Sequence, residues 1–364
     1  MTSAEPSPSA LGADRRASLA AAKLGALVRS RWGEAAGGVV PRPFQGGMVM
    51  SNQERCWIYL DPPAHENFGA AMAVGLNAER GLPSRDTQAF ELHVISEGGM
   101  ARALEMASLF SVPPFVWSVR GRELEPGEPG GSKDAGGKWE AIAISEETEE
   151  VITQAISETG AVVCHRDGTL VAEVLGLEVA RVVQDGNDTP PYLAIGVGKH
   201  DRSARQELHG GPPPMSALFE VVKTIARHRR ANVASHPANQ LCLERWLRAV
   251  VVEHPEMVGE RSLRPVEHPL LPVRLGERCP ALAMAEGPVL YAFSVGVDVE
   301  APIRAALAAK EVDSKAQLVF VLPEGDDVPV LKESVARLRG PVELRQLKRS
   351  WRELSPAVAM GAPR

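Results

Sequence analysis

The chain has 364 residues, 44% hydrophobic and 24% charged, the make-up of a folded soluble protein with room for two or three cores. A formal net charge of −6 argues against nucleic acid coating the whole surface and leaves room for a local basic face. No apolar run approaches the roughly 18–20 residues that span a bilayer, and Cys56, Cys164, Cys242 and Cys279 lie too far apart for a disulfide framework or a Cys-rich zinc site.

In chain order, residues 1–13 are rich in Ser, Pro and Ala and are expected to be disordered. Their polar start is unlike a signal peptide, so a cytoplasmic protein without a membrane partner is expected. From Asp14 to Trp32 apolar residues recur at Leu19, Ala22, Leu27 and Val28 among five basic ones. That pattern predicts a basic amphipathic helix packed on the body with its charges solvated. It leads an N-terminal unit, residues 14–126, with predicted strands at 55–61, 90–95 and 115–119 and helices at 66–80 and 100–110. Strands and helices alternating at this spacing favour a parallel sheet with covering helices. Residues 127–138 carry five glycines and a proline and read as a linker.

The central segment, 139–260, opens with Ser145 as a helix N-cap and Gly160 as the stop. Three extended runs follow, at 161–165, 169–183 and 192–198, with a turn at Asp167-Gly168 and a bend at Gly176. Helices are predicted at 216–230 and 239–253. Residues 261–288 read as an irregular, Pro-rich connection into the C-terminal unit, 261–364. That unit resembles the first: Glu91-Leu92-His93-Val94-Ile95-Ser96-Glu97-Gly98 aligns with Gln317-Leu318-Val319-Phe320-Val321-Leu322-Pro323-Glu324-Gly325, and both copies end in Arg-Glu-Leu. The expected fold is α/β, with two similar βαβαβ units at the ends and a central α-βββ-α segment. The two units are expected to share one sheet or pair about a pseudo-twofold.

Chemistry is sparse. Gly196-Val197-Gly198-Lys199 fits neither GxxxxGK[ST] nor GxGxxG, so nucleotide binding is set aside. No GxSxG is present, and adjacent Cys164 and His165 point to opposite faces of a strand, so they cannot share a metal. The acids Glu149 and Glu150 on the first helix, Glu173 and Glu178 on the extended run, and Lys199 and Asp201 after the third strand are the catalytic candidates. Helix, three antiparallel strands, helix over residues 162–201 resembles a restriction-endonuclease-like, PD-(D/E)XK-type core. The resemblance implies carboxylates holding Mg²⁺ against a scissile phosphate and a lysine positioning the attacking water. The third strand departs from that pattern, because 192–198 contains no acid; the constellation is either migrated or lost, and Mg²⁺ is called for only if the core is active. Residues 171–183 and 195–202 also resemble uncharacterised proteins of high-GC actinobacteria. A structural account competes. Glu173 and Glu178 are five apart and face opposite sides of a regular strand unless a bulge at Gly176 intervenes.

The basic residues Arg202, Arg205, Arg227, Arg229, Arg230, Arg245 and Arg248 are the candidate nucleic-acid contacts, together with Lys199. Helix ends complementing their dipoles, and ion pairs with Glu244, Glu253 and Glu256, explain the same residues without a ligand. Two function classes therefore stay open. One is a nucleic-acid-associated protein with a degenerate nuclease-like core. The other is a non-catalytic scaffold whose units pair with a protein partner or a second copy.

Overall fold

Every residue of the run Cys56–Leu60 is buried, so the strand that holds it needs cover on both faces. The computed structural model describes residues 8–355 apart from 63, 82–89, 128–141, 143, 187–188, 232, 234–235 and 273. The chain divides into two units, Met1–Ala135 with Val328–Val342 and Gly136–Asp327 with Glu343–Arg364. Among the described residues no helix is long and apolar enough to cross a membrane. Residues 128–138 of the Gly- and Pro-rich linker and residues 1–7 lie outside the described residues.

The first unit opens with α1 (Pro8–Trp32), which starts six residues before the amphipathic pattern does, so residues 8–13 are helical where disorder was expected. Six strands follow: β1 (Arg42–Phe44), β2 (Gly47–Ser51), β3 (Arg55–Leu60), β4 (Glu91–Ser96), β5 (Phe115–Arg120) and β6 (Glu123–Pro126), in that spatial order. β3, β4 and β5 are parallel and the remaining neighbours antiparallel. Leu24, Leu27 and Val28 of α1 pack against Met48, Met50, Trp57, Tyr59, Ile95 and Trp117. The alternate residues Ile58, Leu60 and Val94 face the other way, toward α2 (Phe68–Arg80) and α3 (Met100–Ala107). Gly75 of α2 lets Leu92 pack close, since a Cβ would stand 2.5 Å from the end of the Leu92 side chain.

The second unit holds α4 (Glu146–Glu158), whose first turn is capped by the Ser145 hydroxyl accepting from the Thr148 amide. Four strands make an antiparallel meander, β7 (Val162–Arg166), β8 (Thr169–Val174), β9 (Leu177–Val183) and β10 (Tyr192–Ile195). The helices α5 (Gly198–His209), α6 (Met215–His228) and α7 (Leu243–Glu253) come next. A second sheet is ordered β11 (Leu263–Val266), β12 (Ala281–Ala285), β13 (Val289–Phe293), β14 (Gln317–Pro323) and β15 (Val342–Leu347), with α8 (Ala301–Val312) between β13 and β14. One core joins the two sheets of this unit: Val174, Val179, Leu218 and Ile225 lie in it with Trp246, Val250, Ala283, Phe293 and Val321.

Three expectations are corrected. The run 169–183 is two strands instead of one bent strand, and residues 261–288 contribute β11 and β12 to a sheet. The third central strand ends at Ile195, so Lys199 and Asp201 stand on α5, in its first turn.

The strand order and sense of β1–β4 recur in β11–β14, antiparallel, antiparallel, parallel, with a fifth strand next in line. The likeness thus extends beyond βαβαβ by an N-terminal pair, and the strands form separate sheets. The second helix of the later repeat, α9 (Pro329–Ala336), belongs to the first unit. There Glu333 pairs with Arg80 and Arg337 with Glu79, each at 3.0 Å, while Ser111 donates its amide to the Arg337 carbonyl.

Candidate functional site

The central meander turns twice on the same backbone device. Asp167-Gly168 joins β7 to β8 and Leu175-Gly176 joins β8 to β9, with positive φ at all four residues (51°, 74°, 48° and 76°). Two such residues in succession make the tight turn whose twist matches antiparallel strands. Leu175 is unusual in that conformation, which disfavours a side chain. Gly176 has no alternative, because a Cβ would lie 2.4 Å from the Arg245 backbone.

The second turn sets Glu173 on β8 directly opposite Glu178 on β9, with an irregularity in register beginning at Ala172/Glu173. Both carboxylates are buried, and arginines from four elements surround them. Arg166, at the end of β7 and 1% exposed, contacts Glu173 and donates to Glu178 at 3.1 Å. Arg181 grips Glu178 through Nε and Nη2 at 2.8 and 3.1 Å and reaches Asp167 at 3.2 Å. Arg202 of α5 donates to Glu178 at 2.9 Å. Arg245 and Arg248, one turn apart on α7, both donate to Glu267, at 2.7 and 2.8 Å, and lie 3.7 and 3.8 Å from Glu173.

Burial works against ionising Glu267 and Glu178, but the guanidiniums win. Desolvation raises Glu267, yet Arg248 and Arg245 hold its carboxyl down at about 2. Glu178 is likewise kept below the usual carboxylate range, burial being outweighed by Arg181, Arg166 and Arg202. Among the described residues five guanidiniums (Arg166, Arg181, Arg202, Arg245, Arg248) face four carboxylates (Asp167, Glu173, Glu178, Glu267), which leaves one positive charge over.

Beside this network opens a cavity of about 410 Å³. Arg181, Lys199, His200, Arg202 and Arg274 line it, with Asp167, Glu178, Cys242 and Leu275 completing the wall. Lys199 and His200 are exposed, and among the described residues neither has an ion pair. Arg274 is mostly exposed, and its one ion pair among the described residues is with Glu277, at 3.5 Å.

The six catalytic candidates therefore separate. Glu178 and Lys199 share the cavity, while Glu173 sits among the arginines, with Arg245 and Arg248 close by. Asp201 is occupied in holding its own helix, accepting from the Val197 amide at 2.8 Å and from Arg205 at 3.0 Å. Glu149 pairs with His165 at 3.1 Å, and His165 points to the opposite face of β7 from Arg166. Glu150 is exposed on α4. Among the described residues no group of three or more His, Cys, Asp or Glu is placed to hold a metal ion.

The basic candidates separate as well. Arg202 reaches the cavity and Arg205 is half-buried beside Asp201. Arg227 and Arg230 are exposed at the end of α6, where Arg230 donates to the Ala226 carbonyl at 3.2 Å. Arg229 is fully buried and donates to four carbonyls, those of Leu175, Ala238, Leu241 and Cys242, at 2.5–3.0 Å. It also stacks over Trp246, and burial pulls its guanidinium down to about 9. Arg245 and Arg248 are buried too. These three arginines hold the interior together and present nothing to a phosphate backbone at the surface.

Sequence reasoning missed Arg166, Arg181, Glu267 and Arg274. Arg166 and Arg181 flank the two turns in a way that the Leu175-Gly176 reversal makes meaningful, and Gly176 was its one visible sign. Glu267 and Arg274 fall in the stretch read as irregular, with no local signal. No protein-family model, curated protein or solved structure matches the chain.

Proposed function

We propose that the second unit is a nucleic-acid-associated module that holds phosphate without cleaving it, a nuclease-like core in degenerate form. The observation that carries this reading is the cavity beside the central sheet, where Lys199, His200, Arg202, Arg181 and Arg274 converge on one space. Phosphate oxygens are the ligands such a set of donors suits best, with arginine supplying planar, paired hydrogen bonds and lysine a point charge. The carboxylates that a PD-(D/E)XK core would turn toward Mg²⁺ are instead neutralised by arginine, Glu178 by three of them. A divalent ion would have to displace those guanidiniums, and each displacement strands a charge in a poorly hydrated site. Binding without metal-dependent hydrolysis follows.

The repeated strand order supports one further element of this reading: the two end units descend from one duplicated unit, and the central segment was inserted between them with its own chemistry.

Binding of labelled duplex and single-stranded oligonucleotides to the full chain, at two salt concentrations and with and without Mg²⁺, tests the proposal. Affinity is expected to fall steeply with salt, to be indifferent to Mg²⁺, and to leave the strands intact. Absence of any salt-sensitive binding would remove this class and favour the scaffold reading, in which the repeated units serve a protein partner or a second copy.

A further inference from the structure

We infer that the cavity takes the terminal phosphate monoester of a nucleic-acid strand, in preference to the phosphodiesters along it. The inference rests on the phosphate-binding reading above and goes beyond it in naming which phosphate is bound.

Three features of the site lead there. The first is its shape. At about 410 Å³ the cavity has the dimensions of a small-ligand site, whereas contacts to a duplex backbone are spread along a groove. Its donors converge from three parts of the chain: Arg181 from β9, Lys199, His200 and Arg202 from α5, and Arg274 from the segment between β11 and β12. Arg227 and Arg230, which a long backbone track would recruit, are not among the residues that line it. A strand end can enter such a recess, and an internal phosphate flanked by sugars on both sides fits it poorly.

The second is charge. A diester carries one negative charge, a monoester about 1.5 to 2 at neutral pH. Of the four formal cations in the wall, Arg181 and Arg202 engage Asp167 and Glu178 and Arg274 pairs with Glu277, while Lys199 has no ion pair among the described residues. The buried network behind the wall adds a surplus positive charge of its own. A dianion offsets this excess where a monoanion leaves part of it.

The third is free donors. Lys199 and His200 have no ion pair among the described residues, and Arg202 commits only Nη1 to Glu178. Leu275, an exposed apolar side chain, lines the recess beside Gly198.

The test uses the full chain and four probes: a short single strand bearing a 5′-phosphate, the same strand ending in a hydroxyl, the corresponding 5′-mononucleotide, and inorganic phosphate as competitor. The phosphorylated strand should bind about tenfold or more tighter than the hydroxyl strand, and millimolar phosphate should displace it. Lys199→Ala combined with Arg274→Ala, both exposed positions, should abolish that preference without lowering the melting temperature. Equal affinity for the two strands, with ordinary salt sensitivity, would overturn this inference and leave backbone binding standing. A mononucleotide that binds as tightly as the phosphorylated strand would overturn it in favour of a free phosphate ester. No binding of any probe would overturn both readings.

Discussion

Glu173 and Glu178 face each other across the β8–β9 pair as directly opposed, buried carboxylates, and one side chain, that of Arg166, touches both. Like charges in that position destabilise a sheet unless a counter-ion lies between them. Removing the counter-ion is therefore the severe change. Arg166→Met should cost about 3–5 kcal/mol, the usual penalty for stranding a buried charge. Adding Glu173→Gln and Glu178→Gln to that variant should recover a large part of the loss. Urea unfolding of the single and triple variants measures both numbers. A loss below about 1 kcal/mol for Arg166→Met would mean that the carboxylates do not depend on it.

Arg229 and its neighbours Arg227 and Arg230 look alike in the sequence and should behave differently. Arg229 donates to four carbonyls in a fully buried site, whereas the other two are exposed. Arg229→Ala is expected to destabilise by about 3 kcal/mol or more, because acceptors are orphaned and a packed side chain is removed. Arg227→Ala and Arg230→Ala should stay within about 0.5 kcal/mol of the parent. Thermal melts of the three variants separate these outcomes, and comparable effects at all three positions would contradict the assignment of Arg229 to the interior.

How much of this was legible beforehand depends on the range of the forces involved. Alternating apolar strands and the Ser145 cap act over a few residues, and the α/β character and the start of α4 could be read from them. The β8–β9 reversal could not. Leu175 occupies a left-handed conformation that its side chain disfavours, so no turn preference marks it, and Gly176 alone was compatible with a mere bend. β11 and β12 were hidden for a related reason: Pro265 lies in β11 and Pro280 borders β12, and prolines argue against strands unless they sit at an edge or an end. Glu173 and Glu178 could be named from the sequence as a candidate pair. Their surroundings came from Arg245, Arg248 and Glu267, which are 67 to 94 positions further along the chain and which only the tertiary fold brings near.

Stability should peak at mildly acidic pH, because two buried acids pull in opposite directions. Glu267 is held at about 2 in the folded chain, below its ordinary value of 4.5, so its contribution is full above pH 4.5 and is lost as pH falls toward 2. Glu244 is the reverse case. Burial, aided by Asp298, pushes it up to about 7, so the unfolded chain releases its proton first and stability declines as pH rises from about 4.5 to 7. Glu244→Gln should therefore stabilise the protein at pH 8, by about 3 kcal/mol at most, and do little at pH 4. Glu267→Gln should destabilise at pH 7 and converge with the parent near pH 2. Denaturation midpoints across pH 2–8 give both curves, and a Glu244→Gln gain that does not depend on pH would show that packing rather than ionisation is responsible.

Salt dependence separates the cavity from the rest of the basic surface. Lys199→Ala removes a cation that lines the cavity, Arg205→Ala one that is paired to Asp201, and Arg227→Ala one exposed on a different helix. If phosphate is held in the cavity, Lys199→Ala should weaken binding on every sequence about equally, since phosphate contacts carry no base information. Lys199 accounts for one neutralised phosphate, so its removal should lower the slope of log affinity against log salt by roughly 0.7 on a single strand or 0.9 on a duplex. Arg227→Ala should leave both quantities unchanged, and Arg205→Ala should act only through the helix that Asp201 caps. Mg²⁺ should alter none of these values, and no strand should be cut, because Glu178 already carries three guanidiniums and has no oxygen to spare for a metal. Cleavage that requires Mg²⁺ and disappears with Glu178→Ala would show that the guanidiniums give way and that the core is an active nuclease.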